Sequence, residues 1–328
     1  MKYNEFIAKW RGKKIAVIGD MVADVAVTGI ASRISREAPV LIIDEQARVV
    51  LPGGAANVVM NLKAMGAEPI PIGILGCDAE GDQLLDAFIA AGLNYNFIVD
   101  SRVRHTTTKT RIFSQGHNTV KQQVLRIDKG NTCPVGKKTI EKLKESLNQA
   151  LRVADAFIVS DYGEGVMCPE IIQEILNINK KGVYVFVDSR YQLYQYVGVT
   201  ALTPNEKELE EACAPILDRN QDDNLDEAAQ HLQNYLGCRD LLVKRGKNGM
   251  ALFQERNLNS IRVPAYGVTE VADVTGAGDT VLAAYSLAIV SGATPVQAME
   301  IANIAGGIKV TKAGTAVVTA EELEKAQC

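Results

Sequence analysis

Short, continuous apolar runs alternate along this chain with longer amphipathic stretches. The first run, Lys14-Ile-Ala-Val-Ile-Gly-Asp20, is closed by Gly and Asp and reads as a strand buried on both faces of a sheet. After the pair Gly53-Gly54 the pattern predicts a helix over about 55–65, a strand around 70–75 and a helix over about 80–91. It resumes with a helix over 136–151, a strand over 156–160, a helix over 169–180 and a strand over 183–188. A helix after Pro204 and a strand over 241–244 follow. Strands alternating with helices of this length predict βαβ units, hence an α/β fold with a mainly parallel central sheet flanked by helices.

Two stretches, about 22–50 and 104–128, break the alternation with β-branched runs that have no helical period. Val40-Leu-Ile-Ile-Asp44, Thr106-Thr-Thr-Lys-Thr-Arg-Ile-Phe113 and Thr119-Val-Lys-Gln-Gln-Val124 are the clearest, and Gly116-His117-Asn118 between the last two is a hairpin signal. A small antiparallel sheet inserted as a lid is expected. No repeat, low-complexity tract or long linker divides the chain, so residues 1–328 are expected to form a single domain.

Hydrophobic residues make up 47% and charged residues 23% of 328, proportions that exclude a disordered chain, a collagen repeat and a disulfide-dense scaffold. Thirty-five Lys+Arg against 39 Asp+Glu leave a formal charge of -4, which gives no general attraction for nucleic acid or an anionic membrane. Anionic ligands therefore need local sites. Residues 1–14 are polar and mixed in charge, and no apolar run approaches the ~18 residues of a membrane span, so neither a signal peptide nor a span is expected. The six cysteines are scattered without C-x-x-C or zinc spacing, which suits reduced thiols in the cytoplasm. None of the three histidines stands in metal-ligand spacing.

The most informative segment is Asp273-Val-Thr-Gly-Ala-Gly-Asp279, followed by Thr280-Val-Leu-Ala-Ala-Tyr-Ser-Leu-Ala-Ile-Val290, an almost wholly apolar helical run that must be buried. A helix starting at the glycines exposes unpaired N–H groups and a positive dipole end, and Gly276 and Gly278 let the backbone approach an anion. Asp279, in the first turn, suits either a helix-end charge or a base that activates a hydroxyl. No Walker loop occurs, and Gly276-Ala-Gly278-Asp-Thr-Val lacks the third glycine of a dinucleotide fingerprint. A second cluster, Pro52-Gly-Gly-Ala-Ala-Asn57, is either a tight turn at a helix start or a close-approach site for a ligand.

Together these motifs resemble the ribokinase-like, or PfkB, carbohydrate kinases. Gly53-Gly54-Ala-Ala-Asn57 with Gly73-Ile-Leu-Gly76-Cys-Asp78-Ala-Glu-Gly81 resembles the family's N-terminal signature, and Asp273–Asp279 its C-terminal one. Strand-end Asp20, Thr203-Pro-Asn205-Glu-Lys-Glu208, Lys244-Arg-Gly246-Lys-Asn-Gly249 and Ala302-Asn303 follow the family's order along essentially the whole chain. Within the family, Ser32-Arg-Ile-Ser-Arg-Glu-Ala-Pro-Val40, Thr108-Lys-Thr-Arg111, Val124-Leu-Arg-Ile-Asp128 and Ser160-Asp-Tyr-Gly163 resemble the kinase domain of D-glycero-β-D-manno-heptose 7-phosphate kinases. Two departures stand near the presumed sugar side: Arg36 where those enzymes usually show Pro, and Ser189-Arg190 where they show Pro-Lys.

The resemblance implies a ribokinase-like fold, ATP as phosphoryl donor and Asp279 as general base, with the N–H groups of Gly276, Ala277 and Gly278 holding the transferring phosphoryl. It implies that Asn205 and Glu208 support Mg²⁺ through water, that Lys244, Gly246 and Asn303 bind nucleotide, and that Asp273 and Thr275 hold a monovalent cation such as K⁺. Asp20 and Asn57 would bind sugar hydroxyls, with Gly53 and Gly54 allowing close approach. A phosphorylated sugar also needs a second anion site. Lys109 and Arg111 alternate along one lid strand and so share a face, with Arg33, Arg126 and Asp128 as further candidates. For each of these residues an ordinary loop, cap or surface role is the alternative.

The implied reaction is phosphorylation of heptose 7-phosphate at its anomeric hydroxyl, giving the 1,7-bisphosphate. Another sugar kinase of the same fold, acting on fructose phosphate, tagatose phosphate or ribose, is the nearest alternative, and a catalytically silent sugar-phosphate sensor is a more distant one. Lid sheets paired between two chains would make a homodimer, because an isolated small sheet leaves an apolar face and open edges. Only about 306–328 lies beyond the last motif, too little for a further domain, so the chain is expected to perform the kinase step alone.

Overall fold

The computed structural model describes residues 3–115, 121–131, 134–214, 225–255, 259–267 and 272–326. Helix α1 (Asn4–Ile7) precedes β1 (Lys14–Gly19), and Asp20 alone separates β1 from β2 (Met21–Ile34). There follow β3 (Leu41–Gly54), α2 (Ala55–Ala64), β4 (Glu68–Gly76), α3 (Ala79–Ala90), β5 (Ile98–Ser101), β6 (Thr107–Gln115), β7 (Gln122–Lys129) and α4 (Lys137–Ala150). Next come β8 (Ala156–Asp161), α5 (Pro169–Lys180), β9 (Tyr184–Ser189), β10 (Ala201–Leu202), α6 (Glu206–Cys213), α7 (Leu225–Leu236), β11 (Asp240–Lys244), β12 (Met250–Gln254) and β13 (Ile261–Val263). The chain then forms α8 (Ala277–Val290), α9 (Pro295–Val310) and α10 (Ala320–Lys325).

Among the described residues, nine strands make the large sheet in the order β13-β12-β11-β10-β9-β8-β1-β4-β5, parallel from β11 to β5 and antiparallel at β12 and β13. Helices cover both faces, which is why β1 has no polar side: Ile15 and Val17 enter the core shared with α2, α8 and α9, while Ala16 and Ile18 enter the one under α4, α5 and α7. Helix α8 is buried from Asp279 through Ile289, as its all-round apolar sequence requires. The predicted helices at 55–65, 80–91, 136–151 and 169–180 all form, within a residue or two of their expected ends.

The second sheet, in the order β3-β2-β6-β7, is mixed rather than antiparallel as expected. β2/β3 and β6/β7 are antiparallel, but β2 and β6 run parallel, Val22 against Thr107 through Ile30 against Gln115. Both strands follow the carboxyl ends of parallel strands, β2 after β1 and β6 after β5, so they leave the large sheet in one direction. The hairpin tripeptide Gly116-His117-Asn118 lies outside the described residues, as do Cys133 and Cys328. Cys77, Cys168, Cys213 and Cys238 are free thiols, and no helix among the described residues is long and apolar enough to cross a membrane.

Candidate active site

Parallel strands deliver their last residues to one edge of a sheet, where ligands of open α/β folds gather. Here that edge carries Asp20 after β1, Asp161 and Tyr162 at β8, Asp188 in β9 and Lys244 at the end of β11. The N-termini of α2 and α8 meet above it, because Asn57 Nδ2 donates to Asp279 Oδ2 at 2.7 Å. Tyr162 Oη donates to the other oxygen, Oδ1, at 3.0 Å. Asp279 is 4% exposed. Burial pushes its carboxyl up to about 7, helped by the charge of Asp188 and opposed by the bonds from Asn57 and Tyr162 and by Lys244. A carboxylate with a pKa near neutrality at the mouth of an anion cradle has the properties of a general base.

Gly276 is the N-cap of α8 in the left-handed region at φ 76°, and no side chain caps the helix. The N–H groups of Gly276 and Gly278 have no acceptor among the described residues, whereas that of Ala277 donates to Val274 O at 3.2 Å. Of the three predicted cradle amides, two are therefore open. A side chain at Gly276 would run into Asn57 Nδ2, and one at Gly278 would approach Lys244 Nζ to 3.2 Å. The Lys244 ammonium is thus set beside the cradle, held by both oxygens of Asp188 at 2.9 Å each.

Asn205 and Glu208 form a capping box at the start of α6: the Glu208 N–H donates to Asn205 Oδ1, and the Asn205 N–H donates to Glu208 Oε2, each at 2.8 Å. The helix-start role is real, yet both residues also line a cavity of about 490 Å³ with Tyr162, Asp188 and Arg190. Burial and then Asp188 raise the Glu208 carboxyl, while Lys244 lowers it. Two carboxylates sharing one lysine beside a cavity suit a hydrated Mg²⁺, which keeps its waters. No group of three or more His, Cys, Asp or Glu side chains among the described residues is placed to hold a metal. On the other side of Lys244 a second cavity of about 220 Å³ is lined by Gly246, Met250, Val281, Asn303 and Gly306, an apolar slot of the kind that accepts a planar base. Asn303 Nδ2 donates to Pro264 O at 2.8 Å at its rim.

The predicted acceptor side is more tightly tied than its sequence suggested. Asp20 is 2% exposed and accepts the N–H groups of Tyr162, Glu164 and Val166 at 2.8, 3.1 and 3.2 Å. Its carboxyl is pushed up to about 6, chiefly by burial and then by Asp161. Asn57 points its amide nitrogen at Asp279, and Gly53 packs against the Asp24 carboxylate. Asp24, one turn of the pleat from Val22, was not among the predicted residues. It pairs with Arg111 Nη1 at 2.7 Å.

Lys109 and Arg111 do share a face, as alternation predicts: Lys109 stands in register with Asp24 and Asp128, and Arg111 with Ala26 and Arg126. Arg126 makes two 2.7 Å bonds to Asp128. Two of the three basic groups are thus ion-paired, while the Lys109 ammonium lies 4.2 Å from the centre of the Tyr162 ring. Arg33 is not brought to this group; it is exposed near the far end of β2, opposite Ile42.

Asp188 lines the first cavity without having been a candidate in the sequence, while Tyr162 and Arg190, also in its lining, entered only within the segments Ser160-Asp-Tyr-Gly163 and Ser189-Arg190 and with no role. The rule that flagged Asp20, a polar residue closing a buried strand, also applies to Asp161 and Asp188 and could have found them.

The predicted cation pair Asp273 and Thr275 lies on the loop entering the cradle. Asp273 Oδ1 accepts the Thr275 N–H and Oδ2 the Gly314 N–H, each at 2.9 Å. The adjoining carbonyl of Gly314 already accepts from Lys309 Nζ at 2.8 Å. Each of these oxygens already faces a donor of the chain, and the Lys309 ammonium at Gly314 O sets a positive charge beside them, a group that does not fit a free monovalent ion.

A family profile described as pfkB family carbohydrate kinase matches residues 12–322. The bifunctional protein HldE of Mesorhizobium japonicum is 37% identical over 319 residues, covering 97% of this chain and 62% of that protein. The chain therefore spans less than two thirds of that relative's length. Among solved structures, Arabidopsis thaliana ribokinase complexed with ribose and ATP superposes with a TM-score of 0.73 at 21% identity over 96% of this chain and 98% of its own. The phosphofructokinase-2 of Escherichia coli in complex with potassium gives 0.75 at 19% identity over the same shares. At that identity the likeness is one of fold.

Proposed function

The chain belongs to the pfkB family of carbohydrate kinases, and on that premise we propose that it transfers the γ-phosphoryl of ATP to the anomeric hydroxyl of a heptose 7-phosphate. The observation that carries the reading is Asp279, a buried carboxylate raised to about 7, standing between an open pair of cradle amides and the acceptor side of the site. ATP fits with its base in the apolar slot at Asn303 and its phosphates passing Lys244 toward Gly276 and Gly278. Bound with the nucleotide, Mg²⁺ would neutralise phosphate charge, held through water by Asn205 and Glu208 with Asp188 beside them.

Asp279 takes the proton of the acceptor hydroxyl, whose oxygen forms the new bond to the γ-phosphorus as the bond to the β-phosphate oxygen breaks and ADP leaves. Each carboxylate oxygen accepts one donor, from Asn57 or from Tyr162, and keeps a second lone pair with which to receive that proton. The cradle N–H groups and Lys244 stabilise charge on the phosphoryl in flight. Lys109, Arg111 and Arg126 supply the cationic lid surface that a sugar phosphate requires, with Asp24 and Asp128 aligning the two guanidinium groups.

The reading is tested by ADP release against a panel of acceptors. Turnover on heptose 7-phosphate supports it; activity confined to free ribose, or to fructose or tagatose phosphate, moves the chain to another branch of the family. No ADP release with any sugar would leave a sensor.

The lid also supports a homodimer. Ile34, Leu41, Val49, Leu125 and Ile127 are all exposed on this sheet, a concentration of apolar side chains that a second copy would cover. Light scattering that reports a monomer removes this assembly.

A further inference from the structure

Lys309 is 0% exposed, yet it ends in a charge. It lies in the last turn of α9, where its Nζ donates to Gly314 O at 2.8 Å and more loosely to Lys312 O at 3.4 Å. The same Gly314 gives its N–H to Asp273 Oδ2 at 2.9 Å, so one residue carries a chain of contacts from the ammonium to the carboxylate. Asp273 opens the run that ends in the phosphate cradle, and its own N–H and that of Ala272 donate to Val310 O at 3.1 and 2.8 Å. Two loops, 272–276 and 311–315, are thus clamped around a buried positive centre that is part of the chain.

We propose that the Lys309 ammonium does the work of a bound monovalent cation beside the cradle, so that this kinase turns over independently of potassium. The inference rests on the kinase reading for its catalytic consequence, though not for its structural one. A cation at such a place would be held by oxygens such as that of Gly314 and those of the Asp273 carboxylate. Here those oxygens face a lysine or backbone N–H groups instead. Burial holds the Lys309 ammonium below its ordinary value; Asp273 favours the charge, Lys312 opposes it, and Asp279 favours it. Lys312 is itself tied to Glu322 and to Val317 O at 2.8 Å. Because the ammonium is covalently attached, it cannot be lost by dilution, and mass action of external salt has nothing to act on.

The first test compares the melting temperature and the turnover of the unaltered protein in potassium chloride and in choline chloride at equal ionic strength. No difference in either is expected; a clear gain in both with potassium overturns the proposal. The second uses Lys309→Met, which keeps the length of the side chain and removes the charge. In choline its turnover should fall by about 10²-fold, the scale of a misplaced catalytic loop, and potassium or ammonium ions should restore both rate and melting temperature. Full activity of the variant in choline, or a loss that no monovalent cation rescues, also overturns it. Melting requires no sugar acceptor, so that arm stands even if the acceptor assignment fails. The comparison on unaltered protein stands even if the variant does not fold.

Discussion

Asn57 and Asp279 are joined by a 2.7 Å hydrogen bond across 222 residues of sequence. The bond ties the helix that follows Gly53-Gly54 to the helix that follows Gly276-Ala277-Gly278, so the two glycine clusters form a single site. It exists because Gly276 has no side chain, leaving the space that the Asn57 amide occupies.

The pH dependence of kcat/KM should follow from that contact. A base is active only when unprotonated, so the acid limb is expected near pH 7, where Asp279 is held. Asn57 and Tyr162 both lower that value, while Asp188 raises it. Asn57→Ala and Tyr162→Phe should each move the limb to higher pH. Profiles that coincide with the unaltered enzyme's, or a limb in the ordinary carboxylate range, would sink the assignment.

Asp279→Asn should keep substrate binding and lose roughly 10²–10⁴-fold in rate. It should also stabilise the protein at high pH. The folded carboxyl binds its proton more tightly than the unfolded one, from 3.8 up to about 7, so the stability it contributes is complete below 3.8 and lost as pH rises through about 7. The asparagine carries no such dependence. Denaturant midpoints measured on both sides of that window check the sign; a variant less stable above it contradicts the account.

Gly276→Ala tests the cradle's backbone. Its φ of 76° costs a side-chain-bearing residue about 1–2 kcal/mol, and the new methyl meets Asn57. A rate loss of about 10²–10³-fold, the scale of one lost oxyanion donor, is expected together with a lower melting temperature. Near-normal turnover would show that the phosphoryl binds elsewhere.

Lys244→Ala removes the cation that Asp188 holds with both oxygens, the two side chains being 15% and 16% exposed. Leaving Asp188 beside Glu208 unpaired should cost about 3 kcal/mol and raise the KM for ATP more than that for the sugar. Equal effects on the two KM values would argue against a place beside the nucleotide phosphates.

The parallel sheet was legible because its strands are apolar on both faces and its helices carry a 3.6-residue period. β10, two residues long, has no period to detect, and β12 and β13 depart from the alternation that identified the others. The parallel pairing of β2 with β6 depends on where two distant segments leave the large sheet, which no local pattern encodes. At the site, Asp279 stood out from the glycines and the apolar helix around it, whereas Lys244 was expected from the family resemblance alone. Partnerships were not legible: Arg111 with Asp24, Arg126 with Asp128 and Tyr162 with Asp279 are decided by register and by strand ends meeting in space.

β2 starts one residue after β1, and β3 ends at Gly54, the N-cap of α2. The two are stitched at their roots, where the Ala55 N–H donates to Asp20 O at 3.0 Å. Each strand is 14 residues long, which at about 3.4 Å per residue makes an arm of roughly 45 Å. Such an arm is a lever with its fulcrum at the edge of the large sheet, where β1 ends. A tilt of a few degrees at Asp20 and Gly54 sweeps its tip through several ångströms, and a load on the tip returns to those two residues as torque.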